Sequence, residues 1–145
     1  MNKRYLLDLN VLMALTDEEH VHFRKAQEWC DSIERAEWGL CPLTEAGFVR
    51  LTTNPATGPV LRSCQEANAF LERLATRPGY HFWPITDRWG VLTAPFASRI
   101  AGHQLVTDAY LLGMAIKENG VLVTFDRGIR YMAGAEFSQN VLLLE

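Results

Sequence analysis

The residues best placed to do chemistry are four acids at the predicted ends of strands or starts of helices. Asp8 lies at the end of the apolar run 5–9 and Asp126 closes the run 121–125, so each follows a predicted strand. Glu45 and Asp108 each follow a threonine that we predict to cap a helix. Because strand ends and the following helix starts gather at one edge of an open α/β sheet, we expect all four acids in one cleft.

Four carboxylates in one cleft would form a site for a divalent cation. Like charges at close range repel unless a cation lies among them. Mg²⁺ binds oxygen ligands, usually takes one or two carboxylates directly and keeps several waters. Such a site can activate water for an in-line attack at phosphorus. Each acid alone is also a common helix-start or turn residue, so the prediction depends on the joint pattern.

The elements that must position these acids alternate along the chain. Strands are predicted at 5–9, 38–41, 80–83, 121–125 and 141–144. Helices are predicted at 10–15, 21–37, 44–52, 64–74, 89–100 and 107–118, with a loop at 54–59. Asn10, Thr44 and Thr107 are the predicted N-caps. The alternation predicts a single α/β domain over residues 1–145, a three-layer α/β/α sandwich around a mostly parallel sheet of about five strands.

The composition is that of a soluble globular protein. The chain has 145 residues, of which 48% are hydrophobic and 21% charged. No run is long and apolar enough to span a membrane and the N-terminus does not resemble a signal peptide, so a cytoplasmic protein is expected. The net charge of −3 is unlike that of most nucleic-acid-binding proteins. A polynucleotide would therefore need metal ions at the acids, and arginines around them, to bind here.

The segments that carry the acids resemble the successive motifs of the PIN-domain family. They read LDLNVL at 7–12, PLTEAGFVR at 42–50, VTDAYL at 106–111 and TFDRG at 124–128. The resemblance covers nearly the whole chain and is greatest to the VapC toxins of bacterial toxin–antitoxin pairs.

This resemblance implies a PIN-like fold and an endoribonuclease that depends on Mg²⁺, with Mn²⁺ as a substitute, and cleaves RNA with metal-activated water. It further implies a homodimer and inhibition by a cognate VapB-like antitoxin. Asp8, Glu45, Asp108 and Asp126 would be the catalytic and metal-binding residues. Asn10, Thr107 and Thr124 would be polar supports of the site.

Several further residues are candidates for contact with RNA. Arg50 and Arg127 each lie near a site acid in sequence, although a solvated or interface arginine is an equally good interpretation. His103 precedes Thr107 and Asp108, and family members often have Gly-His there, but a local hydrogen bond is favoured. Core or dimer packing is the favoured use of the four tryptophans, and Trp89, in a loop-like stretch, is the best candidate for stacking on a base.

Two alternative functions fit parts of the pattern. A phosphatase of the haloacid-dehalogenase type also places an Asp after its first strand, but it normally needs Asp-x-Asp, and here the second position is Asn10. A receiver-like or PIN-like module could use the acids only to bind a metal or a partner. A catalytically silent PIN domain usually lacks some of the acids, and this chain keeps all four.

Overall fold

Strands and helices alternate along the chain in the computed structural model, which describes residues 3–33, 36–57 and 63–145. The strands are β1 (Arg4–Leu7), β2 (Glu37–Gly39), β3 (Val121–Thr124) and β4 (Val141–Leu143). The α-helices are α1 (Leu9–Thr16), α2 (Phe23–Ser32), α3 (Pro42–Thr52), α4 (Cys64–Leu74), α5 (Trp89–Thr93), α6 (Val106–Lys117) and α7 (Arg127–Ala133). Short 3₁₀ segments cover Ala94–Arg99, His103–Leu105 and Ser138–Asn140.

The sheet has four strands in the order β2-β1-β3-β4, and every neighbouring pair is parallel. Leu6 in β1 pairs with Gly39 in β2 on one side and with Leu122 in β3 on the other. The two central strands, β1 and β3, therefore end side by side. The residues that follow them, at positions 8 and 125–126, meet at the same edge.

The core lies on both faces of this sheet, which makes three layers. Leu6 and Leu122 pack on one face with α5, α6 and α7. The next residues along each strand, Leu7 and Val123, pack on the other face with α1, α2, α3 and α4. This division follows from the period-two alternation of side chains along a strand. The predicted α/β/α sandwich is confirmed.

The predicted strand count of about five is one too high for the described residues. Residues 80–83 were expected to form a strand, but this segment runs extended beside β2 with only an isolated bridge between Trp38 and Tyr80. Backbone bonds join Trp38 to Gly79 and His81, and Trp83 to Leu40, at 2.8–3.0 Å. The pairing goes no further because β2 ends at Gly39 and the chain enters α3 at Pro42.

The helices near the site start earlier than the capping threonines and asparagine predict. The N-caps are not Asn10, Thr44 and Thr107 but Asp8, Cys41 and Leu105. Asp8 takes the first position because it both ends the strand and accepts a hydrogen bond from the Leu9 amide. Pro42 begins α3 because its missing amide proton is not needed in the first turn.

Other predicted boundaries are corrected by smaller amounts. The helix predicted at 21–37 is α2, which ends at Ser32, and residues 34–35 lie outside the described part of the chain. The helix predicted at 89–100 changes to a 3₁₀ segment after Thr93, where Pro95 cannot continue the α-helical hydrogen bonding. In the predicted loop 54–59, the last two residues are outside the described ranges. The short helix α7 was not predicted.

None of the helices formed by residues 3–33, 36–57 and 63–145 combines the length and the apolar character needed to cross a membrane.

Candidate active site

Three aspartates are brought to the edge where β1 and β3 end. Asp8 directly follows β1 and is the N-cap of α1. Asp126 follows β3 after one intervening residue and is the N-cap of α7, where its Oδ1 accepts from the Gly128 amide at 2.8 Å. Asp108 lies in the first turn of α6. Each carboxylate is therefore held at a helix start, where the partial positive charge of the helix favours an anion.

A buried threonine hydroxyl links two of these aspartates. Thr124, the last residue of β3, donates from Oγ1 to Oδ2 of Asp8 at 2.8 Å. The same oxygen accepts from the backbone amide of Asp126 at 3.0 Å. Asp8 also accepts from the Leu9 amide at 2.7 Å through its other oxygen. Asp8 is only 4% exposed, and hydrogen bonds to both of its carboxylate oxygens fix the orientation of the side chain.

The aspartates repel one another. Burial raises the pKa of Asp108 to about 7, and the negative charges of Asp8 and Asp126 add to the effect. Burial also raises the pKa of Asp8, and the nearby Asp126 charge adds to this, whereas the hydrogen bonds from Thr124 and Leu9 lower it. The mutual influence of the three groups places them in one electrostatic cluster.

Glu45 lies at the start of α3, at the same edge of the sheet as the aspartates. It lies in the first turn of α3, as predicted, and burial raises its pKa. Its charge raises the pKa of Cys41 and of Tyr80, the latter to about 12 mainly through burial. The place of Glu45 among the metal-binding residues stays a prediction.

The chemistry of the three aspartates fits a hard divalent cation. No lysine, arginine or histidine of the described residues forms an ion pair with them. A cation would relieve the repulsion that raises the pKa of Asp108, and carboxylate oxygens are the ligands that Mg²⁺ prefers. Within the described ranges, no three His, Cys, Asp or Glu side chains converge closely enough to form a complete protein-ligand cage. Mg²⁺ does not require such a cage, because water supplies most of its ligands.

Of the predicted polar supports, one contacts the acids. Thr124 is fully buried and bonded to Asp8 and to the Asp126 amide. Asn10 and Thr107 are exposed in the first turns of α1 and α6, and neither forms a hydrogen bond with an acid of the site. Their supporting role stays a prediction.

The predicted substrate contacts are all exposed side chains. Arg127, the first residue of α7, lies 4.0 Å from Glu145 and is thereby partly neutralised. Arg50 is exposed in the last turn of α3, whereas Glu45 is in the first turn. His103 is exposed at the start of the 3₁₀ segment that leads into α6. These placements leave the proposed contacts with RNA untested.

Two contacts near the site were not predicted from the sequence. The His22 ring stacks on Phe125, with centroids 4.5 Å apart, so the loop between α1 and α2 packs against the residue just before Asp126. The buried Thr44 hydroxyl lies 3.5 Å from the carbonyl oxygen of Leu7, the residue before Asp8. Thr44 therefore ties the start of α3 to the end of β1 instead of capping its helix. The T-E-A and T-D-A motifs signal a helix start but not these long-range contacts.

The sequence matches a known family along most of its length. The PIN domain family matches residues 5–135. Ribonuclease VapC39 of Mycobacterium tuberculosis is 36% identical over 130 residues, which cover 90% of this chain and 94% of that protein. Ribonuclease VapC44 of the same organism is 39% identical over 131 residues, which cover 90% and 91%.

Two solved structures of bacterial proteins have a similar fold. VapBC2 from Rickettsia felis, bound to a promoter DNA fragment, aligns with a TM-score of 0.64 over 98% of this chain and 99% of that chain, at 11% identity. FitAcB from Neisseria gonorrhoeae aligns with a TM-score of 0.63 over 97% and 96%, at 19% identity. At such low identity these structures support the fold alone.

Proposed function

The chain belongs to the PIN-domain family and is of the VapC type, and from this membership we propose that it is a metal-dependent endoribonuclease acting as the toxin of a type II toxin–antitoxin pair. The proposed cofactor is Mg²⁺, with Mn²⁺ as a substitute, and the substrate is RNA in the cytoplasm. The similar proteins of M. tuberculosis are named ribonucleases, and this activity is here extended to the present chain.

The observation that carries the proposal is the cluster of Asp8, Asp108 and Asp126. Desolvation, together with nearby negative charge, raises the pKa of Asp8 and of Asp108, so keeping these two carboxylates ionised costs folding free energy. The cluster has no cationic side chain paired with it among the described residues. A divalent cation that binds the aspartates and also binds a phosphodiester would explain why the carboxylates lie together.

In the proposed site, carboxylate oxygens of Asp8, Asp108 and Asp126 would hold the cation together with water molecules, and Glu45 at the start of α3 would contribute a further carboxylate. When bound, the cation lowers the pKa of water and offsets the charge that develops on the phosphate. Asp8 keeps a fixed orientation because Leu9 and Thr124 each donate to one of its oxygens. Asp108 has a pKa of about 7 in the absence of a cation, so it can accept or release a proton near neutral pH before the cation binds.

The proposed partners are a VapB-like antitoxin and a second copy of the chain. One structural neighbour is described as a toxin–antitoxin complex from Klebsiella pneumoniae, with a TM-score of 0.63. The antitoxin is proposed from the family, and the homodimer likewise.

The proposal is tested by incubating the purified chain, free of antitoxin, with structured RNA. We expect internal cuts in Mg²⁺ that leave a 5′-phosphate and a 3′-hydroxyl, the ends produced when water attacks phosphorus and the 3′ oxygen leaves. The cuts should disappear in EDTA and in Asp8→Asn. Products ending in a 2′,3′-cyclic phosphate would contradict attack by water, because they require attack by the ribose 2′-hydroxyl. If no RNA is cut, a binding role for the acids becomes the better interpretation.

A further inference from the structure

Trp89 is the one tryptophan that the fold leaves on the surface. Its side chain is 42% exposed, whereas Trp29, Trp38 and Trp83 are 9%, 8% and 1% exposed, and all four are described residues. Exposing a large aromatic ring forgoes the free energy that its burial would contribute. An exposed tryptophan in a fixed position therefore suggests a binding surface.

The indole is anchored at the end of α6 that faces the acidic site. Trp89 donates from Nε1 to the carbonyl oxygen of Val106 at 2.9 Å. Val106 is the first residue of α6, and Asp108 follows two residues later in the same turn. A helix with its side chains is about 10 Å across, so a polynucleotide bound at Asp108 needs to cross only one helix end to reach the indole.

The segment that carries Trp89 is held firmly against α6. The carbonyl oxygen of Asp87 accepts from the Tyr110 hydroxyl at 2.6 Å, and the Asp87 carboxylate pairs with Lys117. Gly113 allows α5 to approach closely, since a Cβ there would lie 2.6 Å from the carbonyl oxygen of Leu92. The ring is therefore positioned before any ligand binds, which reduces the entropic cost of binding.

Arg88, the residue directly before Trp89, adds a positive charge to this segment. Arg88 is exposed, and it forms no ion pair with any residue in the described ranges. Arg127, by contrast, is placed against Glu145. Arg88 therefore provides a positive charge that no acid of the described residues neutralises, one position in sequence from the exposed indole. Proteins that bind single-stranded nucleic acid combine these two features, with aromatic rings that stack on bases and cations that follow the backbone.

We infer that Trp89 and Arg88 form a platform for single-stranded RNA beside the acidic site. The indole stacks on an unpaired base close to the cleaved bond, and the guanidinium contacts a backbone phosphate. The inference builds on the proposed ribonuclease function and adds that the substrate is unpaired where it crosses the end of α6. Stacking is tolerant of base identity, so the platform selects for strandedness more than for sequence.

The test measures binding and cleavage separately. Short single-stranded homopolymers of U, C and A are mixed with the protein in Mg²⁺, and tryptophan fluorescence is followed in the interval before cleavage products accumulate, so that binding is read separately from cleavage. We expect RNA to quench the fluorescence of the wild-type chain and not that of Trp89→Tyr. Trp89→Ala should weaken binding by about tenfold or more, and Trp89→Tyr should restore most of the affinity. In Mg²⁺, Trp89→Ala should raise KM for the cleaved RNA while kcat changes little.

Matched variants distinguish the two side chains. Val91→Ala removes another exposed apolar side chain of α5 and should bind RNA like the wild type. Arg88→Ala should reduce the slope of log affinity against log salt by about 0.7, the value for one phosphate contact on a single strand. Trp89→Ala should leave that slope unchanged. Thermal unfolding of each variant checks that the fold is retained.

Two outcomes would overturn the inference. The first is that Trp89→Ala cleaves RNA and keeps the RNA affinity and the KM of the wild type. This result would exclude the platform and leave the proposed function intact. The second is that acrylamide fails to quench Trp89 in the RNA-free protein and that the wild-type dimer dissociates in Trp89→Ala. This result would show that the ring contacts a second copy of the chain instead of RNA. Absence of cleavage by the wild type counts against the proposed function, whereas the fluorescence titration still decides whether the platform binds RNA.

Discussion

The Thr124 hydroxyl donates to Asp8 across 2.8 Å, between residues 116 positions apart in sequence. It also accepts from the amide of Asp126, so one buried oxygen sets the positions of two acids. Because β1 and β3 are adjacent and parallel, this contact follows directly from the sheet order. The pairing of the two central strands therefore determines how Asp8 and Asp126 are placed relative to each other.

Replacing Thr124 by valine is expected to destabilise the protein and weaken the site. The variant has nearly the same shape but removes the donor to Asp8 and leaves the Asp126 amide without its acceptor. The free energy of unfolding should fall by about 1–3 kcal/mol, and Mg²⁺ affinity by about 10- to 100-fold. Denaturant unfolding and metal titration measure the two effects. Thr124→Ser keeps the hydroxyl and should recover most of both, so a serine variant as impaired as the valine variant would argue against the hydrogen bonds.

Asp108→Asn is expected to stabilise the metal-free protein while it abolishes cleavage. The substitution removes one of three mutually repelling carboxylates, and it keeps the size of the side chain. In EDTA the unfolding temperature should rise above that of the wild type. Glu136→Gln makes the same change in net charge at an exposed position and should leave stability and cleavage unchanged. A lower unfolding temperature for Asp108→Asn in EDTA would show that the carboxylate is not under repulsion.

The stability of the metal-free protein should fall as the pH rises toward neutral. The pKa of Asp108 in the folded protein is about 7, above its usual 3.8. A pKa raised by folding contributes stability that is fully present below about pH 4 and is lost as the pH rises through about 7. The raised pKa values of Asp8 and Glu45 act in the same direction.

Unfolding midpoints measured in EDTA across this pH range check the prediction. Saturating Mg²⁺ should flatten the dependence, because the cation stabilises the ionised carboxylates. In EDTA, Asp108→Asn should reduce the dependence of the unfolding midpoint on pH. A metal-free protein that gains stability between about pH 5 and pH 7 would contradict the assigned repulsion.

The sequence predicts correctly which acids follow the ends of strands. Asp8 and Asp126 follow apolar runs, and parallel strands bring such positions to one edge. The helix-start positions of Glu45 and Asp108 are also predicted correctly. These features depend on local patterns and one general rule about sheets.

Features that depend on packing between distant elements could not be predicted in this way. A threonine before an acid signals a helix start, but it does not say whether the N-cap is that threonine or a residue before it, as at Cys41 and Leu105. The anchor of Trp89 on Val106 joins residues 17 positions apart across two helices.

Close contact between α5 and α6 makes Gly113 sensitive to substitution. In Gly113→Ala the added Cβ would lie 2.6 Å from the carbonyl oxygen of Leu92, so the two helices must separate. We expect a loss of about 1–3 kcal/mol in the free energy of unfolding, measured by denaturant unfolding. Gly90→Ala is the matched control, since a Cβ there meets no atom within 4 Å. Equal stability of the two variants would show that α5 is not held tightly on α6.

The most direct test of the central claim is the rate of RNA cleavage as Mg²⁺ is titrated into the metal-free wild type, Asp8→Asn and Glu136→Gln. The wild type and Glu136→Gln should gain activity together and saturate, and EDTA should reverse the gain. Asp8→Asn should stay at background at every Mg²⁺ concentration. Cleavage by the wild type in EDTA, or by Asp8→Asn at the wild-type rate, would contradict catalysis by a metal ion held at the aspartates.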